Sequence, residues 1–213
     1  MRKIFALLAF LSMPFMGFSQ THLYENPDFD QLTASHELIA ILPFNATVTL
    51  RPKQMKDITP EQLNKMEESE GLSIQSAIYS WFLKRQKREK LKVNVQDPSN
   101  TNALLRRNNI SPSTMADYLP HELAEILGVD AVIMGTFETN KPMSEGASLA
   151  LGMLVGFYGS TNKAVINLSI YNAAQGELLV NYNKAVAGSV GSSTEDLINI
   201  LMRKASRRIS YTE

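Results

Sequence analysis

The five residues Leu38-Ile39-Ala40-Ile41-Leu42 carry no polar side chain and are stopped by Pro43. A strand of this kind is buried on both faces, as at the centre of an α/β sheet, so helices must pack on it from two sides. The downstream sequence offers them. Thr59-Pro60-Glu61-Gln62 reads as a helix start: Thr59 caps, Pro60 suits the first helical position, and Gln62 reaches back to the Thr59 amide. Leu72, Ile74, Ala77, Ile78, Trp81 and Phe82 then recur at helical spacing, with Gly71 as a place for the region to divide into two helices. Lys84, Arg85, Lys87, Arg88 and Lys90 close it, where cations complement the negative end of the helix dipole.

Leu91 to Val95 alternates into Asp97-Pro98, which predicts a peripheral strand ending in a turn, and Asn100 to Asn108 fits a short helix. Met115 to Leu127 is helical in pattern, but Pro120 must kink it or begin a new helix, and Gly128 ends it. Val129 to Phe137 supplies another strand. Val165, Asn167, Ser169 and Tyr171 alternate with Ile166, Leu168 and Ile170, and Glu177 to Val186 does the same across Gln175-Gly176, which predicts a β-hairpin. Ser193 with Asp196 caps a final helix built on Leu197, Ile198, Leu201, Met202, Ala205 and Ile209. The expected fold is α/β: a layered mixed sheet with packed helices.

Residues 1–19 read as a signal peptide. Arg2 and Lys3 precede an apolar run from Ile4 to Phe15, and Gly17 and Ser19 supply the small residues for cleavage before Gln20. A retained anchor needs about 20 apolar residues, and this run is shorter and broken by Pro14. Without Arg2 and Lys3, nineteen basic side chains face twenty-one acidic ones, a formal charge of −2 that gives nucleic acid no global attraction. The chain has no cysteine, which excludes disulfides and a lipid-modified N-terminal cysteine. Residues 20–36 form a polar lead-in expected to lie loosely on the surface, and 37–211 form a single α/β domain. The run KRQKREK is read as the end of a helix, with contact to anionic headgroups or an acidic partner left open.

The phrases ELIAILPF, LAEILGVDAVIMGTF and VINLSIYNAAQGELLVNYNKAV resemble the curli-secretion lipoprotein (CsgG-like) family. The same plan is that of the TolB N-terminal domain and of lipoprotein activators of penicillin-binding proteins. The resemblance spans roughly Leu38 to Ile209 and implies an anticodon-binding-domain-like α/β fold in the bacterial envelope. It is weak for function, because pores and activators share the fold. Two departures stand out. The anchoring cysteine of curli-type pores is missing, and only one of their two membrane hairpins has a candidate, since Val186 to Ser193 leads directly into the last helix.

That candidate lies in the apolar, glycine-rich insertion 144–160, with GASLALGMLVGFYGS at Gly146 to Ser160. As a strand it sets Leu149, Leu151, Met153, Val155 and Phe157 against a face of small residues. As a helix it aligns Ser148, Gly152 and Gly156 in a groove that admits close approach. Three fates are open: burial in the protein's own core, a partner or self-association surface, and insertion within an oligomeric barrel. Leu149, Leu151, Met153, Val155, Phe157 and Tyr158, with the neighbouring hairpin, are the expected partner-contact residues.

Catalytic and ligand motifs fall away on spacing. HELAE, from His121, has Glu125 where a zinc-protease helix needs its second histidine. Gly188-Ser189-Val190-Gly191-Ser192 lacks the residue a nucleophile elbow requires between glycine and serine. His22, His36 and His121 are far apart in sequence, which favours surface or structural roles. The sequence therefore predicts no catalytic, cofactor or metal residues. It points to an exported, non-enzymatic binding or assembly module of the periplasm or outer-membrane periphery of a Gram-negative bacterium, with envelope proteins or a second copy as partners. A subunit of a curli-type pore and a hydrolase with a nonstandard site are the alternatives.

Overall fold

Ile39, Ala40 and Ile41 are fully shielded from solvent, as the unbroken apolar run requires. The computed structural model describes residues 21–50, 52–56, 58–140, 163–187 and 194–212. In chain order the elements are β1 (Thr21–Glu25), α1 (Phe29–Leu32), β2 (Leu38–Ile41), β3 (Asn45–Val48), α2 (Pro52–Met55), α3 (Pro60–Gln86), β4 (Asn94–Val95) and α4 (Pro98–Arg107). A 3-10 turn at Met115–Asp117 follows, then α5 (Pro120–Leu127), β5 (Ala131–Thr139), β6 (Lys163–Asn172), β7 (Leu178–Ala187) and α6 (Thr194–Ala205).

The strands form one mixed seven-stranded sheet in the order β1-β7-β6-β5-β2-β4, with β3 beside the far half of β5. β2 is parallel to both β4 and β5, while β5, β6, β7 and β1 are successively antiparallel. One core packs Ile39 and Ile41 with Ile74, Ile78 and Phe82 of α3 and Leu201, Met202 and Ala205 of α6. The other packs Ala40, Leu42 and Val132 against Leu105 of α4 and Leu123 and Leu127 of α5. The α/β expectation is met: β2 is covered by α3 on one face and by α4 and α5 on the other.

Local signals explain the helix ends. At α3, Gln62 N–H donates to Thr59 Oγ1 at 3.2 Å and Thr59 N–H donates to Gln62 Oε1 at 2.8 Å, the reciprocal cap read from the sequence. Pro120 begins a new helix rather than kinking one, with Leu119 N–H held by Glu122 Oε2 at 2.7 Å. Gly128, at φ 66°, ends α5, and Val129 N–H reaches back to the Ala124 carbonyl at 3.1 Å. Asp97 caps α4 by accepting Ser99 N–H at 2.7 Å, so that helix starts earlier than Asn100. The cap expected at Ser193 falls outside the described residues.

Three regions differ from expectation. The lead-in is tied down: Thr21–Glu25 pairs with β7, and Phe29 enters the core edge-on to Tyr211 at a ring distance of 5.2 Å. The polar stretch after Pro43 holds β3, which Leu42 and Pro43 offset by one residue, since Ile41 to Asn45 takes four steps opposite three from Ile133 to Thr136. Gly71 does not divide α3, which runs unbroken for 27 residues. A Cβ there would lie 2.0 Å from the Phe44 carbonyl oxygen, so glycine is what lets helix and strand touch. Phe44 N–H donates to the Gly71 carbonyl at 3.3 Å across the same contact.

The start of β2 is clamped by polar groups. Asp130 Oδ2 accepts Glu37 N–H and Leu38 N–H at 2.7 and 2.9 Å, and His36 Nδ1 meets the hydroxyl of buried Tyr211 at 2.6 Å. Burial pushes His36 below its ordinary value, with the Asp130 carboxylate and a bond to Asn172 opposing, and burial raises Tyr211.

Gly71→Ala should destabilise by about 3 kcal/mol through overpacking, read as a lower urea midpoint, whereas an ordinary helical Gly→Ala gains about 1 kcal/mol. Because the folded state disfavours protonated His36, the unfolded chain binds more protons, and stability should decline as pH falls below about 6.5. His36→Gln should flatten that slope in urea titrations between about pH 7 and pH 5.

Candidate functional site

The chain leaves β2 through α3 on one face to reach β4, then leaves β4 through α4 and α5 on the other face to reach β5. Such opposed crossovers open a crevice at the carboxyl end of the strand between them, here at Pro43. Its base is fastened by an amide pair: buried Gln75 of α3 donates to the Ile41 carbonyl at 2.7 Å and to Asn102 Oδ1 of α4 at 3.0 Å, and Asn102 Nδ2 returns a 3.0 Å bond. One wall is the turn Ser111–Thr114, stiffened by bonds among the hydroxyls of Ser111, Ser113 and Thr114.

Three cavities surround Pro112 of that turn. One of about 340 Å³ is lined by Asn45, Asn64, Glu67 and Glu68, and one of about 400 Å³ by Glu68, Leu72, Asn102 and Arg106. The third, about 300 Å³, reaches onto the sheet at Met134, Thr136, Asn167, Ser169 and Tyr171. Glu67 has a structural role as well: its Oε1 accepts Val48 N–H at 3.0 Å and so covers the outward edge of β3.

Beyond Met134 the sheet opens. Antiparallel partners share a face, so Tyr24, Asn181, Ser169 and Met134 form one row across β1, β7, β6 and β5, and His22, Asn183, Asn167 and Thr136 form the next. Asn181 Nδ2 donates to Asn167 Oδ1 at 2.8 Å and to Ser169 Oγ at 2.9 Å, which fixes the amides in place. His22, Tyr24 and Thr136 are exposed and the three asparagines half-buried. This surface is neutral, rich in paired donors and acceptors, and edged by aromatic rings. It suits hydrogen-bonded recognition of another chain.

The expected contact residues Leu149, Leu151, Met153, Val155, Phe157 and Tyr158 lie outside the described residues. Their insertion leaves β5 after Thr139 and returns into β6, where Thr139 pairs with Ala164, so it springs from the same end of the sheet as the last residues of β3. The sequence reading missed the open face. Its signal was present in the polar half of both hairpin strands, Asn167 with Ser169 and Asn181 with Asn183. The three histidines sit apart: His22 on exposed β1, His36 on Tyr211, and His121 against the turn at Gly176. Among the described residues no three His, Cys, Asp or Glu side chains are placed to hold a metal ion, and no helix is long and apolar enough to cross a membrane.

No family model and no curated protein matches the chain. Solved structures similar to it include a variant of the PelC dodecamer from Paraburkholderia phytofirmans, with 10% identity, a TM-score of 0.46, and coverage of 91% of this chain and 97% of that one. Lipoprotein GNA1162 from Neisseria meningitidis aligns at 13% identity and a TM-score of 0.42, over 81% of this chain and 96% of that one. The LpoB C-terminal domain from Salmonella enterica aligns at 10% identity and a TM-score of 0.34, over 75% and 93%. The likeness to curli-secretion lipoproteins rests on the sequence phrases alone.

Proposed function

We propose that this chain is an exported binding or assembly module of the bacterial envelope, working in the periplasm or at the outer-membrane periphery, and that it acts by surface recognition without turnover. The observation that carries the reading is the open face of β1, β7, β6 and β5, where Asn167, Asn181 and Asn183 stand in cross-strand rows beside the groove at Pro43. Neutral amides and hydroxyls already held by neighbours lose little when they exchange water for a partner's backbone. The insertion between β5 and β6 carries an apolar sequence from Gly146 to Ser160. The leader-like residues 1–19 supply the address.

The groove's charged side chains are Glu67, Glu68 and Arg106, with Ser111 and Ser113 bonded to each other rather than to a base. That arrangement favours holding a ligand over activating a nucleophile.

Copurification from envelope fractions tests the reading. Asn167→Arg with Asn183→Arg, and separately Met153→Asp, should each deplete the captured partner at least about tenfold, the loss of about 1.4 kcal/mol, with circular dichroism unchanged. Unaltered capture by the Asn pair would remove the open face from the proposal. Ion conduction by the purified chain in planar bilayers, or catalytic turnover, would replace the binding reading with one of its alternatives.

A further inference from the structure

Of the nineteen lysines and arginines after residue 20, ten lie on the adjoining ends of α3 and α6 and the segments that follow them. Lys84, Arg85, Lys87, Arg88, Lys90 and Lys92 come from the end of α3 and the segment after it, and Arg203, Lys204, Arg207 and Arg208 from the end of α6. The backbone joins the two groups: Lys92 N–H donates to the Tyr211 carbonyl at 3.0 Å, and Leu91 bridges Thr212. Lys184 of β7 lies beneath, near Lys204 and Arg208, and bonds Thr21.

Dipole complementation accounts for one or two cations per helix end. It does not account for ten on two adjoining ends. Arg85 is nearly buried, and burial together with Arg207 and Arg88 pushes its guanidinium below the ordinary value. Among the described residues the acidic groups near this end include Glu89, Glu37, Asp28 and Asp30 beside Phe29, Glu25, which takes the Ser210 hydroxyl, and Asp130, engaged by two backbone amides. An ion pair of α3, Lys65 with Glu61, lies far from this end of the helix. Self-repulsion of this kind lowers stability unless an outside anion offsets it.

Apolar groups share the cationic turns. Lys84 Nζ lies 4.3 Å from the centre of the half-buried Trp81 ring, and Leu83 is exposed beside Lys87. A lysine stem over the half-exposed indole and an exposed leucine suit a headgroup layer, where the open edge of the ring and the alkyl carbons enter the interface and the charges stay with phosphates. We propose that this composite face docks the protein on the anionic surface of a phospholipid membrane. The inference rests on the exported reading, which puts such a surface within reach.

Vesicle cosedimentation tests it, with the exported chain, phosphatidylcholine vesicles, and phosphatidylcholine vesicles containing one third phosphatidylglycerol. Binding should require phosphatidylglycerol and fade as ionic strength rises from about 0.1 M to about 1 M, which shortens the screening length from about 10 Å to about 3 Å. The triple variants K84Q/K87Q/R88Q and R203Q/R207Q/R208Q should each weaken binding by about two orders of magnitude, roughly fivefold per cation. The equal-charge control K56Q/K65Q/R107Q should change it by less than about threefold. Should a triple variant unfold by circular dichroism, Lys87→Gln and Arg207→Gln alone carry the fivefold reading. Equal binding to neutral vesicles, equal loss in the control, or binding to a single-stranded oligonucleotide but not to phosphatidylglycerol would each overturn the proposal. Retention of the chain inside the cytoplasm on cell fractionation would remove the exported reading instead, whatever the vesicles show.

Discussion

The fold depends on how tightly the chain is held where β2 gives way to β3. Pro43 withholds an amide, Phe44 turns its backbone onto Gly71 of α3, and the Phe44 ring lies over Gly135 of β5, where a Cβ would stand 2.9 Å from it and 1.9 Å from the Asn167 carbonyl. Helix and sheet meet there with no side chain between Gly71 and the Phe44 backbone. The extra residue between β2 and β3 shifts the register of β3 by one position along β5, with which it still pairs, and Asn45 and Glu67 stand at the rim of the groove at Pro43. A methyl group at Gly71 would push α3 off the sheet, and one at Gly135 would strike the Asn167 carbonyl and the Phe44 ring.

Much of this was legible where local chemistry and tertiary packing agree. The β2 run, the reciprocal cap at Thr59, the stop at Gly128 and the hairpin turned at Gly176 each announce themselves within a few residues. What stayed hidden is held by backbone or by distant partners. β1 has exposed side chains at His22, Leu23 and Tyr24, so no burial pattern marks it, and it exists because β7 has amides to satisfy and Phe29 has a pocket beside Tyr211. β3 shows an alternation of only four residues. Gly71 reads as a helix breaker in isolation, and its role appears only with Phe44 opposite. The open face was half legible, since alternation shows two strands with polar outer faces but not that their asparagines pair.

The surface divides by character. Neutral hydrogen-bonding groups occupy the sheet face, carboxylates gather around the first half of α3 with Glu61, Glu67 and Glu68, and cations crowd its far end. An almost neutral chain can thus present strong local fields while its recognition surface stays free of desolvated charge, which would cost more to bury than it returns.

Helix α3 also fixes a length. At 27 residues it extends about 40 Å, and it is one continuous helix in which Gly71 serves as the contact point for Phe44. A molecule standing on the far end of that helix keeps its carboxylate end well clear of the lipid plane. Thr139 of β5 and Ala164 of β6, paired at the level of Val48 and hence of Glu67 in the first half of α3, would then stand at the end of the sheet away from the bilayer, at a height where the components of a second layer could meet them.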